Sequence, residues 1–314
     1  MMLVKSIFCL LGPTATGKTA LAIKLTENFP FAIISVDSGM VYRGMDIGTA
    51  KPTPTELKKV PHRLVNIRDP IESYSAGQFR QDALMAIEDI FAAGKIPLLV
   101  GGTMLYFWAL QQGIAVLPTA NEEVRKKIKQ QQQTMGLNAL YQKLQTVDPQ
   151  TAAIVHNKDK QRIQRALEVF MLTGRKMSEL RNISSTQALP YTAHNFALMP
   201  GQRTSHHAKI NLRFKDMLRL GLLAEVEQLY KRGDLHLDLP AIRMVGYRQV
   251  WRYFMGLITY QQMLEQIPRA TCQLAKRQLT WLRNWSKVKC FASESKYLLA
   301  EISKEIYIIQ DSSG

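Results

Sequence analysis

Cysteine is nearly missing from this chain. The three present, Cys9, Cys272 and Cys290, are far apart and odd in number. Such a set offers neither a disulfide framework nor paired spacing for zinc, so a reducing cytoplasm and no zinc site are expected. Long apolar runs are missing too. A membrane-spanning helix needs roughly 20 of them in succession, and the apolar start Ile7–Leu11 is cut off at once by Gly12-Pro13; neither a membrane span nor a signal peptide is expected. Acidic residues are scarce, 25 against 41 basic ones, for a net charge of +16. The surplus is uneven. Residues 1–120 hold 11 Lys+Arg and 9 Asp+Glu, whereas residues 121–314 hold 30 and 16. A basic later half favours a polyanionic partner, since each phosphate neutralised releases counterions, although a protein merely kept soluble by its charge has the same composition.

What is present suffices for a core: 46% of the 314 residues are hydrophobic. Lys5–Leu11 reads as a short buried strand closed by a glycine turn, and Lys18–Thr26 continues as a helix. Two more apolar runs behave alike. Phe31–Val36 ends in Asp37-Ser38, and Ile96–Val100 ends in Gly101-Gly102-Thr103. In an open α/β sheet the ligand crevice lies at the carboxyl ends of the strands, so these three polar ends are expected to converge. Between the last two runs, Ser75–Ala93 has helical spacing and is stopped by Gly94. From about Asn121 strand signals nearly vanish. Helices are expected over Glu122–Thr134, Leu137–Thr146 and Lys160–Leu172, then Ala208–Leu220, Leu222–Arg232, Tyr247–Met255, Tyr260–Gln266 and Arg269–Ser286, with a last strand over Val288–Phe291. Ile183–Gly201 reads as a connector holding a returning strand at Phe196–Met199, and His206-His207 are expected to face solvent. There is no internal repeat. The expected architecture is an α/β fold, a parallel sheet of the P-loop NTPase type flanked by helices, over residues 1–118; an inserted all-helical domain over 119–200; and a helical completion of the core with basic helices over 201–314.

One motif is specific. Gly12-Pro13-Thr14-Ala15-Thr16-Gly17-Lys18-Thr19 fits G-x-x-x-x-G-K-[ST] at every fixed position and lies between a predicted strand and a predicted helix. Its glycines let backbone N–H groups wrap phosphate oxygens at a helix N-terminus, Lys18 adds a charge, and Thr19 offers a hydroxyl to Mg²⁺. The loop does not say whose diphosphate it holds. An NTPase usually adds an Asp at the end of an apolar strand for the metal, and here Leu98-Leu99-Val100 runs into Gly-Gly-Thr. That counts against ATP hydrolysis. Asp37, following the second strand, still suits a small-molecule kinase that deprotonates a hydroxyl.

Beyond the loop, Asp37-Ser-Gly-Met-Val-Tyr-Arg-Gly-Met-Asp-Ile-Gly-Thr-Ala-Lys-Pro52 resembles the stretch after the second strand in the tRNA dimethylallyltransferases, also called tRNA isopentenyltransferases. The resemblance continues in order through Pro61–Leu64, Tyr74–Ala76, Gly101–Tyr106, Gln161–Val169, Arg213–Met217, Gly221–Val226, Arg243–Gln249 and Lys276–Arg283. It implies transfer of a dimethylallyl group from its diphosphate to N6 of the adenosine 3′ of the anticodon, in tRNAs reading codons that start with U, with Mg²⁺ as cofactor. An exocyclic aromatic amine is a poor nucleophile and needs a base, for which Asp37 is the family's match. Arg213 matches the arginine at the departing diphosphate, and Thr103 the residue where donor and acceptor meet. The positions matching the family's tRNA contacts are Asp37, Ser38, Gly39, Met40, Thr103, Arg125, Gln161, Arg162, Ile163, Gln164, Arg165, Arg243, Met244, Val245, Gly246, Tyr247 and Arg248. Splaying a base from an anticodon loop calls for cations beside aromatic rings, and on a helix Arg243 would share a face with Tyr247, and Arg277 with Trp281. Each site residue also has a plainer reading: Asp37 as a helix cap, Thr103 as turn chemistry, Arg213 as the partner of Asp216. Some eukaryotic relatives add a Cys/His zinc finger; with only Cys290 near Gly314, none is expected. A monomer is expected.

Overall fold

The protein is described by a computed structural model covering residues 5–115, 117–183 and 189–311. Its elements in chain order are β1 (Ser6–Leu11), α1 (Lys18–Asn28), β2 (Phe31–Val36), α2 (Pro54–Lys59), β3 (His62–Arg63), α3 (Ala76–Ala92), β4 (Ile96–Gly101), α4 (Met104–Gln112), α5 (Glu122–Val147), α6 (Pro149–Ile154), α7 (Lys160–Thr173), α8 (Met177–Ile183), β5 (Thr192–Met199), α9 (Arg203–Arg219), α10 (Leu222–Lys231), α11 (Tyr247–Phe254), α12 (Tyr260–Arg283), β6 (Val288–Ala292) and α13 (Leu298–Asp311). The strands form one sheet in the order β3-β2-β4-β1-β5-β6, parallel throughout.

Strand alternation sorts the core. Ile7, Cys9, Leu11, Ile34, Val36 and Leu99 face a cluster built with α3, α4 and α9–α12. Phe8, Leu10, Ile33, Leu98 and Val100 face the other side, against α1 and α13. The central strands β1, β2 and β4 bury apolar side chains on both faces, as a covered parallel sheet requires. Local chemistry sets the helix ends. Ser75 caps α3 with a reciprocal bond to Gln78, Thr259 caps α12 with Gln262, and Gly174 closes α7 in a left-handed conformation.

The chain divides into two compact units, one of Met1–Gln111 with Leu189–Gly314 and the other of Gln112–Ala188. The helical unit thus begins before and ends before the expected 119–200, because β5 over Thr192–Met199 pairs with β1 and belongs to the sheet. Of the expected connector, Ser184–Ala188 lie outside the described residues. Helix α12 runs unbroken through Pro268, where a helix break was expected, and buries Met263, Ile267, Ala275, Gln278 and Leu282. Conversely, the two helices expected around Gly136 are divided there by a residue at φ 83°. No described helix is long and apolar enough to cross a membrane.

Candidate active site

Strand β1 lies between β4 and β5, so the chain leaves it on one side and later returns on the other. Such a switch point opens a crevice at the strand carboxyl ends. There the loop Gly12–Gly17 enters α1. Gly17 sits at φ 79°, a left-handed turn suited to glycine, immediately before the first helical residue. A cleft of about 390 Å³ lies here, and its walls include Thr14, Ala15, Lys18 and Thr19. The loop is braced by Thr16, whose hydroxyl donates to the Pro13 carbonyl at 2.9 Å, and by Lys18, whose Nζ donates to the same carbonyl at 2.6 Å. Burial pulls the Lys18 ammonium down from 10.5 to about 7; the Arg213 charge adds to this and Asp37 opposes it.

Asp37 follows β2 and enters the same cleft, as do Ser38, Met40, Thr103 and Arg213. Asp37 is the single carboxylate among the lining residues. Its Oδ1 accepts from the Gly39 N–H at 2.8 Å and the Met40 N–H at 3.3 Å, so the capping reading is realised within the site and fixes the carboxylate. Thr103 is tied to the same turn: its Oγ1 accepts from the Ser38 N–H at 3.0 Å, and its own N–H donates to the Val36 carbonyl at 3.2 Å. Gly101 permits that approach, because a Cβ there would lie 2.0 Å from the Val36 carbonyl oxygen. Arg213 projects from α9 and its Nη2 donates to the Thr49 carbonyl at 3.5 Å. Burial lowers its guanidinium from the ordinary range, while Asp37 works in the opposite sense. Asp216, the alternative partner, pairs with Arg219 instead.

The lining also carries apolar side chains from α9, α10 and α12, Phe214, Met217, Leu222, Ile267, Leu274 and Trp281. Met244, Val245 and Gly246 also line the cleft. Met244 packs on Gly39, where an added Cβ would meet its Cε at 2.2 Å. Among the described residues no group of three or more His, Cys, Asp or Glu is placed to hold a metal. The hydroxyl of Thr19 is an oxygen donor of the kind a hard cation takes when phosphate oxygens and waters complete its shell, so the cleft fits Mg²⁺.

A family model described as IPP transferase matches residues 40–285. The chain belongs to the IPP transferase family. Solved structures agree. It is 34% identical to the full-length tRNA isopentenylpyrophosphate transferase of Bacillus halodurans, with a TM-score of 0.72 over 98% of this chain and 97% of that one. A Staphylococcus epidermidis tRNA delta(2)-isopentenylpyrophosphate transferase matches at 31% identity and TM-score 0.68, covering 96% and 99%. A eukaryotic dimethylallyltransferase acting on tRNA matches at 25% identity and TM-score 0.80, covering 98% of this chain and 79% of its own.

Some family positions of this chain lie outside the cleft wall. Tyr247 is fully buried, its hydroxyl donating to Glu225 Oε1 at 2.6 Å, so its ring acts inside the fold. Arg243 precedes α11 in a turn and does not share a helix face with Tyr247; Arg248, on α11, is exposed. Arg277 and Trp281 both line the cleft from α12. In the helical unit, Ile163 is core, Gln164 is half-buried, and Gln161 and Arg162 are exposed. Arg125 and Arg165 converge on buried Glu168: Arg125 Nε and Arg165 Nη1 each reach it at 2.8 Å.

Four positioning groups escaped the sequence reading. His206 is buried rather than solvent-facing, and its Nε2 donates to the Thr14 carbonyl at 2.8 Å. Gln278 is buried against the same loop. Glu225 accepts from the N–H groups of Asp46, Ile47 and Gly48 at 2.8, 2.7 and 3.1 Å. Lys51 buries its ammonium among the Tyr42 carbonyl, Asp46 and Asn66. The one local signal was polarity on an apolar face: Gln278 lies between Ala275 and Leu282 on α12, and His206 precedes Ile210 and Phe214 at four-residue spacing on α9.

Proposed function

We propose that this protein transfers the dimethylallyl group of dimethylallyl diphosphate to N6 of the adenosine 3′ of the anticodon, in tRNAs that read codons starting with U, giving N6-(dimethylallyl)adenosine and diphosphate. The observation that carries this is the single carboxylate, Asp37, in a cleft lined also by the phosphate loop, Lys18, Arg213 and a group of apolar side chains. A phosphoryl-transfer site would be expected to hold a second acid for the metal. Apolar side chains such as Phe214, Met217, Leu222 and Leu274 suit a five-carbon chain.

In the reaction the N6 lone pair forms the bond to the allylic C1 as the C1–O bond breaks and its electrons leave with the diphosphate. Asp37 accepts the N6 proton, its carboxylate kept in place by the Gly39 and Met40 amides. Backbone N–H groups of the loop, Lys18 and Arg213 bind the departing diphosphate, whose charge grows in the transition state. Thr103, fixed to Ser38, stands at the junction of the two substrates. Thr19 is the residue that would hold Mg²⁺, which when bound neutralises diphosphate charge. The tRNA is recognised through Ser38–Met40, Arg243–Gly246 and Arg248 and, on the helical unit, through Arg125, Gln161, Arg162, Gln164 and Arg165. The enzyme acts as a cytoplasmic monomer.

Incubation with dimethylallyl diphosphate, Mg²⁺ and unmodified tRNA, followed by nucleoside analysis, is expected to yield N6-(dimethylallyl)adenosine with one diphosphate per adenosine. Absence of product with every tRNA that reads U-starting codons, or ATP-dependent phosphorylation of a small molecule, overturns the proposal.

A further inference from the structure

Gln278 stands between the two halves of the cleft. Its Oε1 accepts from the Thr14 N–H at 3.0 Å, across 264 residues of sequence, and its Nε2 donates to the Gly102 carbonyl at 2.8 Å. Only one orientation of the amide meets both partners, since a backbone N–H only donates and a carbonyl only accepts. The side chain is 9% exposed and enclosed by the residues it joins, with the Nε2 lying 2.6 Å from where a Cβ on Gly102 would be. His206 holds the other side of the same loop residue through the Thr14 carbonyl. Both backbone groups of Thr14 are therefore committed to side chains from α9 and α12.

From Gly102 the connection runs on. The next residue is Thr103, whose Oγ1 takes the Ser38 N–H, and Ser38 follows Asp37. One hydrogen-bonded path thus joins the loop facing the leaving group to the turn carrying the carboxylate. Displacement between reacting groups is costly: about 1 Å can lower a rate on the order of a hundredfold. We propose that Gln278 is the positioning residue that sets the distance between the diphosphate grip and Asp37. It acts through Thr14 and Gly102, and the inference rests on the transferase reading above.

The substitution Gln278→Met keeps the length and bulk of the side chain without the two hydrogen bonds. We expect kcat for tRNA prenylation to fall about a hundredfold, while KM for tRNA stays at the wild-type value and inorganic diphosphate binds at most a few-fold more weakly. Gln278→Asn, with its amide on a shorter stem, is expected to lose as much, because geometry and not polarity is at stake. In parallel, amide hydrogen exchange at Thr14 in the empty protein is expected to be slow in the wild type and fast in both variants. Wild-type kcat in Gln278→Met, a loss that falls entirely on KM for tRNA, or unchanged Thr14 exchange overturns the proposal. If the wild type itself transfers nothing, the transferase reading falls, and the exchange arm still decides whether Gln278 holds the loop.

Discussion

The hydroxyl of Tyr247 donates to the carboxylate of Glu225 at 2.6 Å. Three consecutive amides, Asp46, Ile47 and Gly48, converge on the same carboxylate from the loop that carries Thr49 to Arg213. Burial, reinforced by the Glu225 charge, drives the Tyr247 phenol far above its ordinary range, so it remains a donor at any working pH. Tyr247→Phe is expected to destabilise the fold by about 1–3 kcal/mol, the range for a buried group losing its partner. Glu225→Ala, which strands all four donors, is expected to lose more. Thermal or denaturant unfolding of the two variants measures this; equal stability for Glu225→Ala and wild type would show that water replaces the carboxylate without loss.

Asp37→Asn separates chemistry from architecture. The amide oxygen can still accept from the Gly39 and Met40 N–H groups, so the turn is expected to persist and inorganic diphosphate to bind as before. The variant can no longer accept the N6 proton. A kcat loss of about 10²–10⁴-fold is expected, the usual contribution of a general base. Single-turnover prenylation with saturating tRNA is the measurement, and a variant with wild-type kcat would remove Asp37 from the chemistry.

In the helical unit two arginines three residues apart have different duties. Arg165 clamps Glu168, whose side chain is fully buried, and its other nitrogen reaches the Pro118 carbonyl at 2.6 Å. Arg162 is 70% exposed beside Asp159. Arg165→Ala is expected to destabilise the helical unit by about 1–3 kcal/mol. Burial pushes the Glu168 carboxyl up, but hydrogen bonds from Arg125, Arg165 and the Asn121 N–H outweigh it and hold it below the usual range. Its stabilisation is therefore present above the unfolded value and lost as pH falls through the folded one, and without Arg165 that loss begins at higher pH. Arg162→Ala is expected to leave stability unchanged, weaken tRNA binding for all sequences alike, and lower the salt slope by about 1. Hydrogen exchange in α5 and α7 with salt-dependent tRNA titrations tests both halves.

What the sequence disclosed follows from the range of the interactions. The loop Gly12–Thr19, the strands β1, β2 and β4, and Asp37 and Thr103 at their ends were legible, because apolar runs, glycines and caps act within a few residues. Strand β3 was not, since a two-residue pair, His62–Arg63, takes its conformation from β2 beside it. Pro268 suggested a break, since it removes a backbone donor and its ring crowds the preceding turn, but the buried face on both sides of it keeps α12 continuous. Glu225 meets the Asp46–Gly48 amides, and Gln278 and His206 their partners, across 176 or more residues, a distance over which periodicity carries no information. Tyr247 matched a family position, yet whether its ring faces solvent or core was decided by Glu225.

Lys18 gives diphosphate binding a pH dependence whose sign can be worked out. In the empty cleft burial and Arg213 bring its ammonium down to about 7 from 10.5. The unfolded chain thus holds more protons than the folded one between these values, and the empty protein is expected to gain stability from this residue as pH rises from about 7 to 10.5. A bound diphosphate favours the charged form, so binding takes up a proton above pH 7, and affinity is expected to weaken by up to about tenfold per pH unit there. The ligand ionises as well, and Lys18→Met isolates the lysine: the difference between wild-type and Lys18→Met profiles should bend near pH 7. Arg213→Gln removes one cause of the depression and should move that bend upward. Calorimetric titrations with inorganic diphosphate in buffers of different ionisation enthalpy read the proton directly, and a wild-type profile parallel to that of Lys18→Met would place the lysine charge outside the binding step.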